Sequence, residues 1–149
     1  MSPDGTRIAY SRRTAERPGR IHILEIDTGV DRALEFVGTG SQAVVDDLDA
    51  VFSPDGKQLV LERYSADGQY RLVVGDVDGR GPVVETGPQF PEGENRFDAT
   101  RNQFSPDGTQ ILATYNADKT TWILDANGGS GRKVPWFEDG SLTWQRLAP

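Results

Sequence analysis

The chain has 149 residues, 36% of them hydrophobic and 26% charged, proportions that favour one folded domain over a disordered segment. Its formal net charge of −7 opposes contact with a phosphate backbone, so no nucleic-acid partner is expected. The longest apolar runs are three residues, far below the roughly 20 that a membrane helix needs, so no membrane insertion is expected. The absence of cysteine excludes disulfides, thiol catalysis and cysteine-ligated zinc.

The sequence begins with a turn motif that returns twice. The tetrapeptide Ser-Pro-Asp-Gly recurs at separations of 51 and 52 residues, which indicates an internal structural repeat. Proline presets the second position of a tight turn, aspartate accepts hydrogen bonds from nearby backbone N–H groups, and glycine supplies a positive φ. We therefore expect each copy to be a structural turn between two antiparallel strands. The copies are Ser2, Pro3, Asp4 and Gly5; Ser53, Pro54, Asp55 and Gly56; and Ser105, Pro106, Asp107 and Gly108.

Runs typical of short strands follow each turn in the same order. The 17 glycines and 9 prolines indicate many turns rather than long helices. The second strand of each unit is predicted at Arg7–Tyr10, Gln58–Leu61 and Gln110–Tyr115, and the third at Ile23–Asp27, Leu72–Asp76 and Trp122–Asp125. A weaker fourth strand is predicted at Ala33–Val37, Pro82–Thr86 and Arg132–Val134. An aromatic residue then introduces the next unit, at Phe52, Phe104 and Trp144.

Four short strands in a period of about 50 residues are typical of a β-propeller blade. The predicted fold is all-β, with about three four-stranded antiparallel blades forming an open arc. Residues 1–149 would form a single partial propeller with blades at approximately 2–47, 48–98 and 99–149. Met1 stands where the later units have phenylalanine, so the first blade is expected to lack its inner strand.

The pattern of an aromatic residue, Ser-Pro-Asp-Gly and an apolar strand, at Phe52–Gly56 and Phe104–Gly108, resembles the TolB-like or WD-like propeller repeat. This resemblance implies a non-catalytic scaffold that recognises a protein, a peptide or another ligand through loops at one face. Ser11–Arg20 and Gly87–Arg96 are the loops expected to present contacts. The resemblance also suggests a periplasmic or extracellular location if an upstream part carries a signal peptide.

A second functional interpretation stays open. The repeats also resemble the substrate-gating propeller of a prolyl-oligopeptidase-type serine peptidase, whose catalytic domain would lie outside this chain. Trp144 keeps the aromatic residue but is not followed by the turn motif, which predicts the end of the repeat array and favours the scaffold.

Three blades would leave strand edges uncovered, and two arrangements would cover them. In the first, the chain is the C-terminal part of a longer propeller. In the second, two chains form a homodimer that closes a six-bladed ring, with the terminal strand around Ser141–Arg146 of each chain completing the first blade of the other.

The sequence predicts no catalytic residue, no cofactor and no metal. His22 is the single histidine and is predicted to be a structural or surface residue of a strand. A nucleophile elbow and a glycine-rich phosphate loop before a helix are both absent from the sequence. The acidic cluster Asp46-Asp47-Leu48-Asp49 does not fit a calcium loop, so turn and solvated-edge roles are predicted for it.

One acidic pattern aligns between the units. Asp46, Asp98 and Glu138 each lie six residues before the aromatic residue of a unit. If inner strands begin there, the three carboxylates would ring one mouth of the central channel and attract a cation or a basic peptide. The alternative is that each carboxylate accepts hydrogen bonds from the turn that enters its strand.

Overall fold

The computed structural model describes residues 1–14, 17–37, 43–91, 102–115, 120–129, 131–135 and 144. Within these residues the chain forms three antiparallel sheets, which we call blades 1 to 3, and no helix that could span a membrane. Blade 1 contains β1 (Arg7–Thr14), β2 (Arg17–Glu25) and β3 (Asp31–Ala33). Blade 2 contains β4 (Val44–Phe52), β5 (Gln58–Ser65), β6 (Gln69–Asp76) and β7 (Val84–Pro91). Blade 3 contains β8 (Gln103–Phe104), β9 (Gln110–Tyr115), β10 (Thr120–Asp125) and β11 (Arg132–Val134).

The strands of each blade are hydrogen-bonded in chain order. Blades 2 and 3 have four strands and blade 1 has three, because β1 has no inner neighbour among the described residues. The second and third Ser-Pro-Asp-Gly turns join β4 to β5 and β8 to β9, with Phe52 opposite Leu59 and Phe104 opposite Ile111. Within the described residues, the predicted all-β class, the antiparallel blades and a first blade without an inner strand are confirmed.

Several predicted strand limits are wrong. Of the predicted loop Ser11–Arg20, residues 11–14 and 17–20 belong to β1 and β2, which continue pairing through Ser11↔Ile21 and Arg12↔Arg20 and so satisfy their backbone groups, and residues 15 and 16 lie outside the described residues. The predicted loop Gly87–Arg96 begins within β7, which runs to Pro91, and residues 92–101 lie outside the described residues.

The fourth strands also differ from the prediction in blades 1 and 2. The strand predicted at Ala33–Val37 ends at Ala33, because the backbone N–H groups of Glu35 and Val37 donate to the Gly79 and Gly81 carbonyls of blade 2. The strand predicted at Pro82–Thr86 begins at Val84, since Pro82 has no N–H to donate to a ladder. The strand Arg132–Val134 is as predicted.

The core lies between the blades rather than within one of them. Alternate residues of β5 point to opposite faces, so Leu59 and Leu61 pack on blade 1 whereas Val60 packs on blade 3. The first interblade cluster consists of Ile21, Ile23, Leu34, Phe36, Phe52, Leu59, Leu61 and Val73. The second consists of Val60, Leu72, Val74, Phe104, Ile111, Ala113, Leu124 and Ala126. Strands buried on both faces explain the three-residue apolar runs Leu59–Leu61 of β5 and Leu72–Val74 of β6.

Candidate functional site: the groove at the turn end of the blades

The three Ser-Pro-Asp-Gly turns have the same hydrogen bonds. The Ser2, Ser53 and Ser105 hydroxyls donate to the Oδ1 atoms of Asp4, Asp55 and Asp107 at 2.6, 2.7 and 2.5 Å. Each Oδ1 also accepts a hydrogen bond at 3.0 Å from the backbone N–H two residues later. Each serine Oγ accepts from the backbone N–H five residues later at 2.9 Å. The buried hydroxyls are therefore fully satisfied, and the strand that follows each turn is held to it.

Successive turns also contact one another. A Cβ placed on Gly56 would lie 3.5 Å from Pro3 Cδ, and one placed on Gly108 would lie 3.7 Å from Pro54 Cδ. The proline of one turn thus lies against the glycine of the next. Arg7 adds a second link, since its Nη2 donates to the Gly56 carbonyl at 3.1 Å and its guanidinium lies 5.6 Å from the centre of the Phe52 ring.

This stacking forms a groove at the turn end of the blades, which we call the turn groove. It has a volume of about 410 Å³, within the range of ligand pockets. Proline and aromatic side chains from all three units dominate its lining, and a smaller cavity of about 310 Å³ lies between the second and third turns. The turn groove is lined by Met1, Pro3, Ala50, Val51, Phe52, Ser53, Pro54, Gln103, Phe104, Pro106 and Trp144.

Carboxylates of the same turns give this end of the blades a negative charge. The hydrogen bond from Ser2 lowers the pKa of Asp4 to about 2, helped by the backbone N–H and the hydroxyl of Thr6. The matching serine and backbone hydrogen bonds also lower the pKa of Asp55 and of Asp107, both of which line the smaller cavity. All three side chains are therefore ionised at neutral pH, close to the turn groove.

Of the three predicted channel-mouth carboxylates, the structure describes Asp46, at the opposite end of β4 from Phe52. Asp46 is buried, accepts a hydrogen bond from the backbone N–H of Gly19 and lies 3.4 Å from Arg13 Nη2. Asp98 and Glu138 lie outside the described residues. An acidic ring of these three residues stays a prediction, and Asp46 is paired with cationic and N–H groups of blade 1.

The neighbouring Asp47 overturns the solvated-edge prediction for the acidic cluster. Its side chain is 1% exposed, and both its oxygens accept hydrogen bonds from Arg63, at 2.8 Å from Nε and 3.0 Å from Nη2. The bidentate pair is possible because Asp47 and Arg63 are directly opposite on β4 and β5. Among the described residues no group of three or more acidic or histidine side chains is arranged to hold a metal ion.

His22 lies on the face of blade 1 turned away from blade 2, where it lines neither cavity. Its Nδ1 is 3.0 Å from Asp31 Oδ1, and the Tyr10 hydroxyl donates to Asp31 Oδ2 at 2.9 Å. The hydrogen bond to the carboxylate raises the pKa of Tyr10 and lowers that of Asp31. This cluster links β1, β2 and β3 through their side chains.

No protein-family model matches the sequence. In a search of solved structures, the chain is similar to a putative TolB from Agrobacterium tumefaciens, with a TM-score of 0.61 and 20% sequence identity. The match covers 89% of this chain and 46% of that protein, so this chain spans about half the length of its structural neighbour. The fold is a partial β-propeller.

Sequence reasoning assigned the propeller's turn motif to geometry alone and missed the turn groove. The motif residues do form turns, but Pro3, Pro54 and Pro106 also line a cavity together with the aromatic residues that precede the later turns. The repeat contained the signal for this groove. Each unit has a proline at the same position of its turn, and the fold brings the three prolines together at one end of the blades. The sequence alone does not give the distance in space between turns that are about 50 residues apart along the chain.

Proposed function

We propose that this chain is a non-catalytic propeller scaffold that binds an extended segment of a partner protein in the turn groove. The observation that carries the proposal is the coincidence of a groove lined by three repeated prolines with ionised aspartates beside it. Extended and proline-rich segments dock in aromatic-lined grooves because they lose little conformational entropy on binding.

The negative charge beside the turn groove predicts which residues the bound segment contains. Asp4, Asp55 and Asp107 are exposed and ionised, and hydrogen bonds of their own turns reach only their Oδ1 atoms, while Arg7 Nη2 lies 4.0 Å from Asp4 Oδ2. A segment that places proline or another apolar residue in the groove and lysine or arginine on either side satisfies both features. The serine-peptidase interpretation stays a prediction, which would require a catalytic domain outside these 149 residues.

Selection of phage-displayed random dodecapeptides on the purified chain tests this proposal. We expect enrichment of peptides that combine proline or aromatic residues with lysine or arginine, and binding that weakens as salt concentration rises. The key variant is Pro106→Arg, which removes an exposed apolar groove residue and introduces a repelling charge. It should weaken the selected peptides by at least about tenfold, measured by fluorescence anisotropy.

Pro82→Arg is the matched control, because Pro82 is also exposed but lines neither cavity. It should leave the dissociation constants unchanged. Failure to select any binding peptide, or equal binding by the Pro106→Arg and Pro82→Arg variants, would overturn the proposal.

A further inference from the structure

The position five residues after each turn serine differs between the blades. Its backbone N–H donates to the serine Oγ at 2.9 Å in all three units, so the position is structurally equivalent in each. The residue there is Arg7 in blade 1, Gln58 in blade 2 and Gln110 in blade 3. The first unit therefore has a cation beside its turn where the other two have a neutral amide.

The Arg7 guanidinium occupies the space between the first and second turns. Its Nη2 donates to the Gly56 carbonyl at 3.1 Å and lies 4.0 Å from Asp4 Oδ2. The guanidinium also lies 5.6 Å from the centre of the Phe52 ring. A carbonyl, a carboxylate and an aromatic ring are the groups that a guanidinium recognises. The chain thus shows in its own structure how an arginine side chain is held between two successive turns.

The space between the second and third turns is the smaller cavity of about 310 Å³, which Gln58 lines. A Cβ placed on Gly56 would lie 3.2 Å from Arg7 Nη2. For a Cβ placed on Gly108, the nearest neighbour from elsewhere among the described residues is Pro54 Cδ, at 3.7 Å. The position that fills the first space with a guanidinium therefore leaves the second space open.

The lining of the smaller cavity repeats the groups that hold Arg7. By position in the turn motif, Asp55 corresponds to Asp4 and Gly108 to Gly56, and both line the cavity. Asp107 adds a second carboxylate to the lining. Two ionised carboxylates beside a neutral glutamine create a negative potential that attracts a cation.

We propose that the smaller cavity binds an arginine side chain, with its guanidinium against the Gly108 carbonyl and the Asp55 carboxylate. The cavity shares Ser53, Pro54 and Pro106 with the turn groove, so a proline in the groove and an arginine in the cavity can belong to one segment. That this arginine belongs to a bound segment rests on the proposed function. Arginine is favoured over lysine because its planar guanidinium donates to two acceptors in fixed directions.

The first test uses N-acetyl-arginine amide, which presents the side chain without an apolar residue for the turn groove. Titration of the isotope-labelled chain, followed by nuclear magnetic resonance, should shift the Gly108 amide signal with a dissociation constant on the order of 1–10 mM. N-acetyl-lysine amide should bind at least about threefold more weakly, and uncharged N-acetyl-citrulline amide should bind more weakly still. No shift of the Gly108 signal by the arginine amide at about 50 mM would overturn the proposal, and so would equal binding of the lysine amide.

The second test fills the cavity from within the chain. Gln58→Arg should place a guanidinium beside Gly108 as Arg7 lies beside Gly56, and should weaken binding of the arginine amide by at least about tenfold. Gln110→Arg is the matched control, because it adds the same charge at the equivalent position of blade 3 but Gln110 lines neither cavity. It should change the dissociation constant by less than about twofold. Equal binding by the two variants would overturn the proposal.

The two proposals fail separately. Failure to select any peptide, with the arginine amide still bound at Gly108, would contradict the proposed function and leave the arginine site standing. Selected arginine-containing peptides that bind Gln58→Arg as tightly as the unmodified chain would contradict the arginine site and leave peptide binding in the turn groove standing.

Discussion

Blades 1 and 2 place related residues at equivalent positions and give them different surroundings. Arg12 is opposite Arg20 in blade 1, just as Arg63 is opposite Arg71 in blade 2. The Arg12 side chain is 58% exposed and lies 3.5 Å from Asp31, whereas that of Arg63 is 3% exposed and forms a bidentate pair with Asp47. The comparison teaches that the inner strand of the blade and the cover of a neighbouring blade, rather than residue type, set the energetic value of each position.

The largest effect on the free energy of unfolding should come from breaking the buried ion pair between Asp47 and Arg63. Arg63→Met leaves the Asp47 carboxylate buried without its partner and should lower the free energy of unfolding by about 3–5 kcal/mol. The equivalent change Arg12→Met removes an exposed pair and should cost about 0–1 kcal/mol. Urea unfolding measures both changes.

The double variant Asp47→Leu with Arg63→Met is the control for that pair. It replaces both charges with apolar side chains and should recover most of the lost stability. Similar costs for Arg63→Met and Arg12→Met would show that neither the inner strand β4 with Asp47 nor the cover supplied by blade 1 distinguishes the two positions.

An intermediate effect is expected where blade 1 packs into blade 2. Gly75 is opposite Leu59, where blade 1 has Leu24 opposite Ile8, and a Cβ on Gly75 would lie 2.5 Å from Cε1 of the buried Phe36 ring. Gly75→Ala should therefore cost about 1–3 kcal/mol of unfolding free energy through overpacking. In a Phe36→Leu background the same change should cost at least about 1 kcal/mol less. Additive costs in this double-mutant cycle would rule out the contact as the reason for glycine.

The smallest effect concerns the turns, which are the same in every blade. Because the pKa of Asp4 is lowered from 3.8 to about 2, its ionised form stabilises the fold above pH 4. That contribution is lost as the pH falls through about 2. Asp4→Asn should thus lower the melting temperature at pH 7, and its difference from the unmodified chain should shrink between pH 4 and pH 2.

Asp27→Asn serves as its control, since Asp27 is an exposed carboxylate in the turn after β2. Its melting temperature, followed by circular dichroism, should match that of the unmodified chain at each pH. A constant deficit of Asp4→Asn from pH 7 to pH 2 would contradict the assigned role of the Asp4 carboxylate.

The sequence by itself determined the repeat, the all-β class and the antiparallel blades. These features depend on neighbours in the chain, since a turn needs four residues and a strand face is set by alternation. Limits of strands were less certain, as Ser11–Arg20 shows, because polar residues such as Arg12 and Arg20 pair across a hairpin as readily as they occupy a loop.

Only the tertiary structure decided which polar groups are buried and where the groove lies. Asp47 meets Arg63 across 16 residues, and Arg7 reaches the Gly56 carbonyl across 49. Which residue pairs with a charge, or lines a cavity, depends on which strands and blades lie beside it. A local sequence pattern does not give the distance in space between residues that are far apart along the chain. The repeated prolines were therefore visible as turns in the sequence and became a candidate binding site once three turns were stacked.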